Sequence, residues 1–140
     1  MGQHIDEIMT KDVVSVPINA TVLEAARLMR EHAIGDVLVA DGEQLWGVAT
    51  DRDIVTRVVA EGRPPNETSV AEVSSKDPVT VRPDQDFREA VSLMRKHDIR
   101  RLPVVDDDSR LVGIVTLGDL AEQQDPNSAL GDISSAPPQL

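Results

Sequence analysis

Short apolar runs alternate with amphipathic stretches along the chain, and each kind predicts its own element. The first run, Val13-Val14-Ser15-Val16, is β-branched and stops at Pro17, which has no N–H with which to extend a ladder. Thr21-Val22-Leu23-Glu24 then carries the spacing of a capping box, and Val22, Ala25, Ala26 and Met29 recur on one helical face. Two further runs, Val37-Leu38-Val39-Ala40 and residues 45–50, flank a polar turn and predict a hairpin. A second helix is predicted after Thr50, with Ile54, Val55, Val58 and Val59 on one side, until Gly62-Arg63-Pro64-Pro65 stops it.

The whole order then recurs. Under a shift of 65 (76 minus 11), Glu7, Lys11, Asp12, Val14 and Val16 meet Glu72, Lys76, Asp77, Val79 and Val81. Glu24-Ala25, Leu28-Met29-Arg30, His32 and Ile34 fall on Glu89-Ala90, Leu93-Met94-Arg95, His97 and Ile99. After Asp41, which meets Asp106, the second copy carries one extra residue, so Leu45, Gly47, Thr50 and Asp53 match Leu111, Gly113, Thr116 and Asp119. An insertion at that point belongs in a hairpin loop. The second copy therefore predicts a strand at Val79-Thr80-Val81, a helix capped by Asp86 and Glu89, a hairpin, and a shorter last helix before Pro126. Its helix has Phe87, Ala90, Val91 and Met94 on one face. A solenoid needs at least three shorter units, so a tandem duplication is the better account. We divide the chain into a first copy at 5–63, a linker at 64–69 and a second copy at 70–125. A tail rich in Ser, Pro and Gly at 126–140 is expected to be disordered.

Composition narrows the function. The 140 residues carry 14 Lys plus Arg against 25 Asp plus Glu, a net charge of -11, with one Phe, one Trp and no Tyr. An acidic chain with so few aromatic rings is a poor match for a phosphate backbone or for stacked bases, so nucleic acid is not an expected partner. The absence of cysteine removes disulfides, thiol nucleophiles and zinc–thiolate sites. No apolar stretch approaches the roughly 20 residues of a membrane helix, so no membrane partner is expected. The first residues lack a signal-peptide core, and Asp6 stands where a myristoylation motif has Ser or Thr, which makes the cytoplasm the expected location.

Candidate chemistry gathers where a strand runs into a helix. Gly47-Val48-Ala49-Thr50-Asp51-Arg52-Asp53 and Gly113-Ile114-Val115-Thr116-Leu117-Gly118-Asp119 share a glycine, two apolar residues, Thr, two more residues and Asp. Such a junction exposes backbone N–H groups, and an Asp one turn inside can accept two hydrogen bonds from a vicinal diol such as ribose. The alternative is local: Thr50 and Thr116 cap their helices, with Asp53 and Asp119 placed favourably near the dipole. Just before the second hairpin, Arg100-Arg101 can grip a phosphate, where the first copy has Gly35-Asp36. Surface pairing of those arginines with Asp98 or residues 106–108 is the competing reading. His32 and His97 lie near helix C-termini, where imidazole can meet terminal carbonyls. Neither has a second His one turn away for a metal, and His4 is simply terminal. No Gly-x-Ser-x-Gly elbow exists, Ser15, Ser69, Ser74 and Ser75 lie in ordinary contexts, and no catalytic residue is assigned. Trp46 is expected to pack on its strand.

With the doubled strand, helix, hairpin, helix order, the segments "IRRLPVVD" (99–106), "GVATDRDI" (47–54) and "GIVTLGDL" (113–120) resemble a tandem cystathionine-β-synthase (CBS) domain pair, or Bateman module, of the stand-alone kind. The resemblance covers residues 5–122. It implies an α/β fold of the α+β type, two CBS motifs related by a pseudo-twofold, and clefts that bind AMP, ADP, ATP or S-adenosylmethionine. It implies a main site of Thr10, Val14, Arg100, Arg101, Thr116, Gly118 and Asp119, with Asp119 on the ribose. It also implies a second site of Thr50, Arg52, Asp53, Ser75 and Val79, whose phosphate binding Gly35-Asp36 puts in doubt although Arg52 partly compensates. A homodimer packed through helices and an unknown downstream protein are the implied partners. The expected function is a non-enzymatic adenosine-nucleotide sensor with no obligatory cofactor, and the alternative is a ligand-free homodimeric scaffold.

Overall fold

In the computed structural model, which describes residues 3–124, the polypeptide crosses between two compact units at a different place from the seam of the repeat. Residues 14–78 form one unit, and residues 3–13 join residues 79–124 in the other. Each repeat thus completes its unit with the opening segment of the other repeat. The fold is mixed α/β in both.

The unit of residues 14–78 holds β1 (Ser15–Pro17), α1 (Val22–His32), β2 (Asp36–Asp41), β3 (Gln44–Thr50), α2 (Asp51–Ile54), α3 (Val70–Val73) and β4 (Ser75–Lys76). Its sheet runs β1-β2-β3-β4, with β1 parallel to β2 and the other pairs antiparallel. Pro17 ends β1 opposite Ala40, the place where a missing N–H does least harm. Thr21 and Glu24 close the expected capping box on α1, and Ala33 ends the helix in the left-handed conformation, φ 53°. Val16, Ala25, Met29, Val37, Val39, Ala49 and Val70 pack between helix and sheet, with Ala20 beside them. Gly47 is required by close approach: a Cβ there would lie 2.5 Å from the Ser75 carbonyl oxygen on β4.

The second helix of this unit departs from expectation. After α2 it widens into a π-helical turn, Val55–Val59, with Ala60 N–H donating to the Val55 carbonyl and Arg63 N–H to that of Val58. Thr56 Oγ1 donates back to the Arg52 carbonyl at 2.8 Å, engaging an acceptor of the α ladder. A wider turn rotates each residue by less. Val58 is therefore buried in a small cluster with Val22 and Val73, against which Ile54 packs, while Val55 and Val59 remain 57% and 64% exposed rather than sharing one buried stripe.

The other unit holds a 3-10 turn (Ile5–Glu7), α4 (Phe87–His97), the antiparallel hairpin β5 (Arg101–Val105) and β6 (Leu111–Thr116), and α5 (Leu117–Gln124). Ile5 is fully buried with Val81, Ala90, Met94, Leu102, Val104, Val115 and Leu120. The strand expected at 79–81 shrinks to one parallel bridge, Val81 with Val104, between Pro78 and Pro83, neither of which has an N–H with which to extend a ladder. Just beyond the bridge the N-terminal segment forms backbone bonds: Ile5 N–H to Gln85, Asp6 N–H to Pro83, and Phe87 N–H to Gln3. The cap of α4 is also only half as expected. Asp86 accepts from Arg88 N–H at 2.9 Å, but Glu89 takes a hydrogen bond from the Gln85 side chain instead of returning to the cap. The extra residue of the second copy does lie in the hairpin loop, where one Asp106 oxygen accepts from the N–H groups of Asp108 and Arg110 and Ser109 is left-handed. The tail expected at 126–140 lies outside the described residues.

Candidate functional site

At the β6 to α5 junction, Thr116 N–H donates to Asp119 Oδ2 at 3.0 Å, and Asp119 N–H donates to Thr116 Oγ1 at 3.1 Å. The Arg100 carbonyl accepts the first N–H of α5, from Leu117, at 2.9 Å, and Arg101 lies opposite Thr116 in the ladder. Strand pairing and helix capping together therefore bring Arg100, Arg101, Thr116 and Asp119 to one corner. Arg100 is exposed, Arg101 and Asp119 are half-buried, and Gly118 is buried in the first turn. Thr10 reaches the same strand through two backbone bonds with Ile114. That approach is what Gly113 permits, since a Cβ there would lie 2.7 Å from Met9 Sδ and 3.0 Å from the Thr10 carbonyl. Val14, named with this set from the sequence, belongs to the other unit.

The first repeat builds the same frame. Thr50 N–H donates to Asp53 Oδ2 at 3.0 Å, Asp53 N–H donates to Thr50 Oγ1 at 3.1 Å, and Asp51 N–H donates to the Gly35 carbonyl. Asp36 lies opposite Thr50, and Ser75 opposite Val48, while Val79 belongs to the other unit. Arg52 is exposed at the first turn. Both junctions thus make the local caps that were one of the two sequence readings. A cap engages one oxygen of each carboxylate, and the repeats differ in the other. Asp53 Oδ1 faces Arg57 Nε at 3.9 Å, whereas Asp119 forms no ion pair among the described residues. Around the first junction Asp36, Asp51 and Asp53 against Arg52 and Arg57 leave a formal charge of -1; around the second, Arg100 and Arg101 against Asp119 leave +1.

Two of the acidic groups offered as surface partners for those arginines are engaged elsewhere. Asp107 pairs with Arg82, and Asp106 holds its own loop. His32 and His97 are the exposed last residues of α1 and α4. One grouping escaped the sequence reading: His4, Asp6 and Glu7 bring ligand atoms within 4.8 Å of one another, all exposed, as surface groups commonly do without an ion. Trp46 packs half-buried against its sheet core with Lys76 Nζ 5.5 Å from the ring centre. Arg57 was also missed, although its spacing of four from Asp53 was a legible signal. Among the described residues no helix is long and apolar enough to cross a membrane.

The CBS domain profile matches this chain twice, over residues 5–60 and 70–125. The chain belongs to the CBS-domain family. It is 44% identical over 127 residues to CBS domain-containing protein YhcV of Bacillus subtilis, a match spanning 91% of this chain and 89% of the relative. Among solved structures, hypoxic response protein I with two coordinated zinc ions is similar at a TM-score of 0.78 and 36% identity, covering 86% of this chain and 98% of the other. The CBS domain pair of protein MJ0100, solved with 5′-methylthioadenosine and S-adenosyl-L-methionine, is similar at a TM-score of 0.76 and 26% identity, covering 91% and 100%.

Proposed function

We propose that this chain is a non-enzymatic regulatory sensor that binds an adenosine nucleotide at the junction of its second repeat. The observation that carries the reading is Asp119, whose cap engages one carboxylate oxygen and whose neighbours across the ladder and helix start are Arg100 and Arg101. In this reading the Asp119 carboxylate accepts from the ribose hydroxyls and the guanidinium groups meet phosphate. The Thr116 hydroxyl and the buried Gly118 shape the floor, and Thr10 contributes backbone. These groups bind and orient; they supply charge and hydrogen bonds rather than a nucleophile. The adenosine compounds held by the MJ0100 pair support the ligand class, from which AMP, ADP, ATP and S-adenosylmethionine are the candidates.

Homodimerisation through helices, a cytoplasmic setting and a downstream protein belong to the same reading, and exposed Val55 and Val59 are apolar side chains that such a helix face would cover. Those two valines equally favour a second reading, a ligand-free dimeric scaffold. Thermal melts with AMP, ADP, ATP, NAD and S-adenosylmethionine separate the two. Saturation at about 100 times Kd adds roughly 2.7 kcal/mol to a binding protein, and flat curves across the panel would leave the scaffold.

A further inference from the structure

We infer that Arg57 is an internal counter-ion that closes the first-repeat carboxylate, so that the chain takes a single nucleotide, at its second repeat. This rests on the nucleotide reading above and specifies it. Asp53 is 15% exposed at its side chain and Arg57 53%; Oδ2 accepts a hydrogen bond from Thr50 N–H, and Oδ1 forms an ion pair with Arg57 Nε at 3.9 Å. Arg57 is itself anchored, because its Nη1 donates to the Val73 carbonyl at 3.1 Å in a partly buried hydrogen bond. The guanidinium is thereby held between the Asp53 carboxylate and the last residue of α3. A ribose diol arriving at Asp53 has to displace it and leave the Val73 carbonyl without that donor, a loss that binding must offset.

The sequence of the second repeat has no cation at the matching position. Under the shift of 66 that aligns Asp53 with Asp119, Arg57 falls on Gln123, which carries no charge. Local charge acts in the same direction, since Asp36 and Asp51 flank the first junction where Arg101 and Leu117 flank the second. A phosphorylated ligand is therefore opposed at the first repeat both by an occupied carboxylate and by net negative charge.

The test is binding stoichiometry by isothermal titration with AMP and with adenosine, on the full chain and on Arg57→Gln and Arg57→Ala. Wild type takes one AMP per chain, and Asp119→Ala weakens that event. Arg57→Gln keeps a neutral donor for the Val73 carbonyl and so guards against unfolding. It gains roughly two- to fivefold in affinity at the first repeat, read as a second event that is stronger with adenosine than with AMP and is removed by adding Asp53→Ala. Two AMP per wild-type chain overturns the inference. So does a single event in both Arg57 variants whose circular dichroism melts show them folded, and in that case the nucleotide reading survives. No AMP or adenosine bound by any variant overturns the nucleotide reading and the inference with it.

Discussion

Replacing Asp119 by Ala separates what its carboxylate does for the helix from what it does for a ligand. In the folded chain the substitution removes the acceptor of Thr116 N–H, a half-buried hydrogen bond of 3.0 Å, but leaves Thr116 Oγ1 free to accept the N–H of residue 119. Half of the capping box is lost. One such bond contributes about 1 kcal/mol, and a negative charge in the first turn of α5 about 0.3–1 kcal/mol more. The expected destabilisation is therefore about 1.5 kcal/mol, which lowers Tm by roughly 5 °C for a chain of this size. A charge-assisted hydrogen bond to a ribose hydroxyl contributes about 1.5–3 kcal/mol, so nucleotide affinity should fall roughly 10- to 100-fold. Asp53→Ala is the internal control. It loses the same N–H acceptor at the same place in the other repeat and the Arg57 ion pair as well, so its melting point should fall at least as far while AMP affinity stays unchanged. Titration calorimetry with AMP, alongside melts without ligand, measures both quantities. Equal affinity for wild type and Asp119→Ala, with the melting point still lowered, would reduce Asp119 to a cap and remove the ribose contact.

Arg101→Ala should weaken AMP and ATP binding more than adenosine binding, because the missing contact is to phosphate; an equal loss for all three ligands in parallel titrations refutes that role. Gly47→Ala should destabilise by about 2–3 kcal/mol, since its Cβ would meet the Ser75 carbonyl at 2.5 Å and β4 must move away. Urea unfolding measures that loss, and hydrogen exchange should show β3 to β4 amides losing protection; a wild-type midpoint would show that β4 relaxes freely. The Asp86 carboxyl is held below the usual carboxylate range, first by the Arg88 side-chain hydrogen bond and then by Arg88 N–H. Its stabilising effect is thus present above the ordinary carboxylate pKa and fades as pH falls through the depressed value. Asp86→Asn should flatten that acid limb in urea midpoints measured across pH, and superimposable limbs would refute the contribution.

Much of this protein was legible in its residues because the relevant forces are local. Thr21 and Glu24 close a capping box three residues apart, the apolar alternation on either side of Gly42 pairs into a hairpin, and the one-residue offset after Asp41 falls in the loop that tolerates it. The frame shared by Thr50 with Asp53 and Thr116 with Asp119 is equally local, as each bond spans three positions. Periodicity failed at Val55 and Val59 because it assumes a constant rotation per residue, which the π-helical turn breaks. Only tertiary structure decided that residues 3–13 complete the second repeat's unit, so that Ile5 is buried beside Val81 and Thr10 bonds to Ile114. It alone gave Gly47 and Gly113 their reason, a neighbouring backbone or side chain pressed against the missing Cβ, and brought Arg57 from Asp53 across to the Val73 carbonyl. Repeats, caps and turns follow from interactions within a few residues of sequence. Which segment lies against which depends on burial shared between parts of the chain far apart in sequence, and folding the whole chain is what brings them together.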